Sequence, residues 1–440
     1  MSSYWAAYAW LPDGCHAGVG FDVVDGRFAG VRIGIKPSAG AEILLGVTLP
    51  GLANGHSHSF HRALRGRTHA AGGTFWTWRQ QMYALAARLD PDSYLSLARA
   101  VFAEMAQAGY TVVGEFHYLH HDQGGRPYAD PNAMGAALIQ AATEAGIRLT
   151  LIDACYLSGG LTATGHLPLD SVQQRFADRN VDHWQARISL MTDTDQVRIG
   201  AAAHSVRAVP AEVLGVIGEA AGERPLHVHL SEQPAENAAT QAFYGCTPTE
   251  LLADHGLLGR RTTAVHATHL TDTDIKTLGS SQTSACFCPT TERDLADGIG
   301  PARRLADSGS PLTVGSDQQA VIDPFEELRG VELHERLATG ERGRFTPGEL
   351  IMIGSEAGYR SLGWPDGGRI VDGALADFVV VRSDSVRTIG SDPDQIAYAA
   401  TATDIDQVIV AGRVIARDGR HQLGPAARLL AVAFDQLEAL

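Results

Sequence analysis

Lysine is almost absent from this 440-residue chain. Of its 35 basic residues only Lys36 and Lys276 are lysine, and the rest are arginine. Basic charge of either kind is outweighed, because 50 acidic residues leave a formal net charge of -15. That balance excludes nucleic acid and anionic membranes as partners, since both require clustered cations. Cysteine is sparse and scattered, at Cys15, Cys155, Cys246, Cys286 and Cys288. An odd, dispersed set in a long chain is not a disulfide framework. Cys286 and Cys288 lie in an apolar run and read as core. With no C-x-x-C beside them, they do not make a zinc site of the cytidine-deaminase type. No run of eighteen apolar residues occurs, which excludes a membrane-spanning helix. The opening Met1-Ser2-Ser3-Tyr4-Trp5 has no basic segment leading into an apolar stretch, so the expected location is the cytoplasm.

What the chain does contain is globular: 45% hydrophobic and 19% charged residues, enough to bury a large core. Eight short apolar runs recur, at 46–53, 111–116, 147–154, 197–203, 225–230, 262–267, 282–287 and 311–315. Most are separated by helical patterns, such as 91–108 (closed by Gly109), 131–145 and 210–221. Runs of this length between helices read as buried parallel strands. Eight β/α alternations predict an α/β fold of the (β/α)₈ TIM-barrel type. The flanks differ. Residues 1–45 read as short strands with Gly turns, 376–382 as a strand and 408–415 as a hairpin around Gly412. The expected organisation is a barrel over 49–369 and a small β-sandwich built from both termini, 1–48 with 370–440.

Chemistry-bearing residues gather at the ends of these runs. Gly55-His56-Ser57-His58 follows the first; two His spaced i, i+2 point to the same side of an extended chain and can share one ion. His229 ends the fifth run, in His227-Val228-His229-Leu230-Ser231-Glu232. His266 ends the sixth, and Asp317 follows the eighth in Val314-Gly315-Ser316-Asp317. In a barrel such ends converge on one face. Imidazoles with a carboxylate suit Zn²⁺, and Fe²⁺ is also compatible.

This set resembles the amidohydrolase superfamily: His-x-His after strand one, His-x-x-Glu after strand five, His after strand six and Ser-Asp after strand eight. The resemblance covers nearly the whole chain, including the split β-module. It implies that His56, His58, His229 and Asp317 bind one metal ion. It further implies that Glu232, His266 and Asp317 carry the catalysis, with His269 left to a helix start or a supporting contact. Two-metal members usually bridge their ions with a modified lysine at the end of strand four. Neither Lys36 nor Lys276 lies there, which favours one Zn²⁺ per chain. A metal-activated water with a proton-carrying Glu suits addition of water to C=N, that is, deamination or deimination.

The same barrel face carries anion-binding groups: Arg79 on the long loop after the first run, Tyr118 after the second, and His204 and Arg207 after the fourth. These stretches, with His56-Ser57-His58-Ser59-Phe60-His61-Arg62, resemble the N-formimino-L-glutamate deiminase family of bacterial histidine degradation. That resemblance implies hydrolysis of formimino-glutamate to N-formyl-glutamate and ammonia. It implies a small acidic substrate held by Arg79, Tyr118, His204 and Arg207, and a homodimer. Position 61, Gln in some relatives, is His61 here, a departure at a substrate contact. The alternative is another mononuclear deaminase acting on guanine or an adenosine derivative. A purine pocket, however, calls for amide and aromatic partners rather than two arginines.

Overall fold

In the computed structural model, which describes residues 2–69 and 73–439, eight parallel strands form the barrel. They are Leu52–Ser57, Tyr110–His117, Arg148–Cys155, Val197–Ser205, Leu226–Leu230, Thr262–His266, Ser284–Phe287 and Leu312–Val314. Each pairs with the next in sequence. The barrel closes where Ser57 meets Asp317: the Asp317 N–H donates to the His56 carbonyl and the His58 N–H to the Asp317 carbonyl, both at 3.0 Å. The second and third strands are buried at every residue, as strands covered on both faces must be. Helix Pro91–Ala108 starts on an Asp90–Ser93 capping box and ends at Gly109 with φ 108°. The C-terminal helix Ala426–Ala439 lies against it. Among the described residues no helix is long and apolar enough to cross a membrane.

The apolar run at 46–53 is two strands, not one. Glu42–Pro50 belongs to a second sheet and Leu52–Ser57 to the barrel, with Gly51 between them. A Cβ on Gly51 would stand 2.5 Å from Thr111 Oγ1 and 2.6 Å from the Tyr359 hydroxyl, so only glycine lets the chain cross between sheets here. The second sheet is one continuous ladder of eight strands drawn from both ends of the chain. The two ends meet where Phe378–Val381 pairs antiparallel with Glu42–Pro50. The hairpin expected near Gly412 is Ile405–Val410 with Arg413–Arg417. Tyr4, Phe21, Phe28 and Phe378 form the aromatic centre of this sheet's core, with ring centroids 5.3 to 5.8 Å apart.

A buried ion pair fastens the sheet to the barrel. Asp377 is fully buried and accepts from Arg148 Nε at 2.6 Å and Nη2 at 3.1 Å, from the Tyr359 hydroxyl at 2.8 Å and from the Ala411 N–H at 2.7 Å. Arg148 opens the third barrel strand. Removing one partner of a buried pair strands the other charge. Arg148→Met is therefore expected to lower the free energy of urea unfolding by about 3 kcal/mol. A variant as stable as the parent would show that Tyr359 and Ala411 alone satisfy the carboxylate.

Candidate metal centre and cavity

Four side chains converge at the mouth of the barrel. His229 Nε2 lies 3.2 Å from His56 Nε2, and Asp317 Oδ1 lies 3.5 Å from the Nε2 atoms of both His56 and His58. Tetrahedral zinc ligands at ~2.0–2.1 Å leave neighbouring nitrogens roughly 3.3 Å apart, so the spacing fits one small divalent cation. The ring orientations fit as well. His58 Nδ1–H donates to the Phe116 carbonyl and His229 Nδ1–H to the His204 carbonyl, each at 2.9 Å, which turns both Nε2 lone pairs towards the shared centre. Burial holds the three imidazoles in the neutral, ligating form, with His58 lowered to about 3.

The strand ends that present these groups are strained. Ser231, His266, Ala267 and Asp317 all have positive φ, between 43° and 69°, without being glycine. Gly315 permits the close approach at barrel closure, since a Cβ there would meet the His56 backbone N and O at 2.6 Å.

The sequence-predicted catalytic groups surround the centre. His266 Nε2 lies 3.8 Å from Glu232 Oε1 and 3.9 Å from Asp317 Oδ2, while its Nδ1 lies 3.6 Å from Glu292 Oε1. Burial alone would lower the His266 pKa. The carboxylates of Glu292, Glu232 and Asp317 outweigh it and raise the value to about 10. Burial raises Asp317 to about 7.

A cavity of about 220 Å³ opens over the centre, and all five predicted substrate contacts line it. The His61 ring lies 4.6 Å from that of His58, and its Nε2 is 3.0 Å from the Tyr118 hydroxyl. His204 ends the fourth strand, 4.9 Å from the His229 ring. Arg79, expected on a loop, sits on the helix Phe75–Ala86, which the Thr74 capping box starts. Its Nε donates to the Tyr83 hydroxyl at 2.7 Å, and its guanidinium lies over the Trp76 and Tyr83 rings. Among the described residues no carboxylate pairs with it. Arg207 differs: Nη2 donates to Glu232 Oε2 at 2.8 Å, and Nε lies 2.9 Å from Glu236 Oε2. The cation expected to await a substrate carboxylate already has two carboxylates of its own.

Comparison with known proteins bears on this geometry. A family model described as the amidohydrolase family matches residues 47–415. The chain belongs to the amidohydrolase family. This amidohydrolase is a hydrolase acting on C–N bonds. It is 35% identical to formimidoylglutamate deiminase of Pseudomonas aeruginosa, over 96% of each chain. It is 29% identical to 8-oxoguanine deaminase of the same organism, over 85% of this chain and 83% of that one. Among solved structures, an amidohydrolase from Brucella melitensis superposes with a TM-score of 0.92 at 30% identity, covering all of both chains. An adenosine deaminase from Xanthomonas campestris, solved with bound zinc, shares the fold at 22% identity with a TM-score of 0.84.

Three carboxylates around the amidohydrolase centre escaped sequence reasoning. Glu115 is fully buried and accepts from Ser57 Oγ at 2.7 Å and the Ser59 N–H at 2.6 Å, bracing the turn that carries His58; burial raises it to about 7. Glu236 and Glu292, each 2% exposed, sit in first helical turns, where acidic residues ordinarily complement the helix dipole at the surface. His269 points away, its Nε2–H donating to the Asp297 carbonyl at 2.7 Å. A second buried cluster, His117 with His120 and Asp153, has ligand-like spacing. Arg187 holds both Asp153 oxygens at 2.6 and 2.8 Å, however, and the two rings bond each other at 3.3 Å, so the atoms that would face an ion are already paired, while His117 Nδ1 has no partner among the described residues. Because barrel closure brings the ligands together, Gly315→Ala is expected to bind metal substoichiometrically while keeping its circular dichroism. A full metal complement in that variant would show that the first and eighth strands can part without opening the site.

Proposed function

We propose that this amidohydrolase deiminates N-formimino-L-glutamate, giving N-formyl-L-glutamate and ammonia, with one Zn²⁺ per chain held by His56, His58, His229 and Asp317. The observation that carries the reading is Arg79, a guanidinium in the cavity wall with no carboxylate partner among the described residues. Such a cation favours an anionic substrate and disfavours a neutral purine. The 35% identical Pseudomonas deiminase supports the same substrate.

A divalent cation at this centre lowers the pKa of a water and so supplies a nucleophile near neutral pH. Asp317 is placed to accept the water's proton. His266 would stabilise negative charge that develops as oxygen adds to the formimino carbon. Both protons of the water end on the nitrogen: Glu232 would deliver the first as the C–O bond forms and the second, released from the new hydroxyl and relayed by Asp317, as the carbonyl forms, the C–N bond breaks and ammonia leaves. Arg79, with Tyr118 and His204, binds the carboxylates that do not react. Arg207 donates to protein only through Nη2 among the described residues, and its Nη1 adds a further donor.

The experiment is ammonia release from formimino-glutamate, its side-chain amide formimino-glutamine, guanine and S-adenosylhomocysteine, with metal analysis of the same sample. Formimino-glutamate is expected to have the highest kcat/KM. Equal values for acid and amide would remove the argument from side-chain carboxylate recognition, and faster turnover of either purine compound would replace this reading by purine deamination. Glu232→Gln is expected to retain the metal but lose at least ~10²-fold in kcat, the usual loss for a general acid-base. Normal turnover in that variant would exclude Glu232 as the proton carrier.

A further inference from the structure

Glu236 stands in the first turn of helix Pro234–Tyr244, four residues beyond Glu232, with its side chain fully buried. One oxygen, Oε1, accepts the Ser231 N–H at 2.9 Å. Ser231 has a left-handed φ of 49° and immediately precedes Glu232, so this contact pins the turn from which Glu232 projects. The other oxygen, Oε2, forms an ion pair with Arg207 Nε at 2.9 Å that is not aligned as a hydrogen bond, and Arg207 donates to Glu232 Oε2 through Nη2 at 2.8 Å. The chain of contacts runs from Glu236 through Arg207 to Glu232, and leaves Glu232 Oε1 facing His266.

We propose that Glu236 is a positioning residue that acts on Glu232 through Arg207. The inference rests on Glu232 being the proton carrier. A guanidinium is a rigid planar fork, so fixing its Nε edge fixes the direction from which Nη2 approaches Glu232. Charge points the same way. Arg207 facing Glu232 alone would form a closed ion pair, in which Glu232 is held as the anion and resists taking a proton. With Glu236 on its other edge, Arg207 serves two carboxylates, and Glu232 stays oriented while sharing the guanidinium charge. Arg207 then acts as the clamp on the proton carrier, and Arg79 is left as the cavity cation without a carboxylate partner among the described residues.

Glu236→Gln separates this role from a structural one. The amide oxygen can still accept the Ser231 N–H, while its NH₂ group faces Arg207 Nε–H and breaks the link. On whichever compound of the substrate panel the enzyme turns over, kcat is expected to fall about tenfold or more, with KM within about threefold of the parent and full metal content. In the Glu232→Gln background the second substitution is expected to add less than about threefold, because both act on one step. Unchanged kcat, a loss carried by KM, or multiplied losses in the double variant would each overturn the proposal. Should Glu236→Gln not fold, Glu236→Asp keeps the charge but shortens the reach, and is expected to lower kcat at constant KM; a parental kcat there would overturn it equally. Normal turnover by Glu232→Gln alone would instead remove the underlying reading of Glu232, so the two failures are distinguishable.

Discussion

Two backbone hydrogen bonds, between Asp317 and the pair His56 and His58, hold the structure together at the point where its chemistry gathers. They close the barrel, and the residues that make them are three of the four that could hold the metal. A ligand set built on a closure seam inherits its geometry from the ladder itself. Sheet register places His56 and His58 at the end of the first strand opposite Asp317 just past the last, and the fifth strand brings His229 across the mouth. Moving any of these side chains means moving a strand, and a close-packed barrel resists that.

Burying so much charge in one place requires an internal balance. Glu115, Glu232, Glu236, Glu292 and Asp317 all lie within or just beneath the mouth, each at most 6% exposed. Each has a donor or a cation facing it: Ser57 and Ser59 for Glu115, Arg207 for Glu232 and Glu236, and the Cys288 N–H for Glu292, with His266 lying between Glu292, Glu232 and Asp317. The carboxylates facing His266 raise it against the effect of burial, while burial lowers the other site imidazoles. Rings of one residue type are thus shifted in opposite directions, set by which neighbours face them.

Much of this was legible in the sequence. Parallel strands covered on both faces must be apolar throughout, so eight runs marked the barrel, and the polar residues ending them marked its mouth. The reading failed where apolar character says nothing about partners. The run at 46–53 passes from one sheet to another without a change in composition, and only the crowding around Gly51 shows where the crossing falls. The helix carrying Arg79 is masked in the sequence by the glycine and threonine that precede it, although Phe75, Trp78, Met82 and Ala86 recur at helical spacing and form its buried face. Glu236 and Glu292 were passed over because a glutamate in a first helical turn is ordinarily a solvated residue. Nothing local distinguishes one that points inward to an arginine or a histidine distant in sequence.

The pairing of Glu42–Pro50 with Phe378–Val381 has a consequence for how the chain is made. Nearly the whole barrel is synthesised between these two strands. At translation rates of about 5–20 residues per second, the first strand emerges on the order of tens of seconds before its partner exists. During that interval one edge of Glu42–Pro50, with Ile43 and Leu45 on an exposed face, offers unpaired backbone groups beside apolar side chains, the combination that recruits strands from other chains. The newborn protein is therefore most vulnerable to aggregation at its N-terminal sheet, until the last part of the chain arrives to cover it.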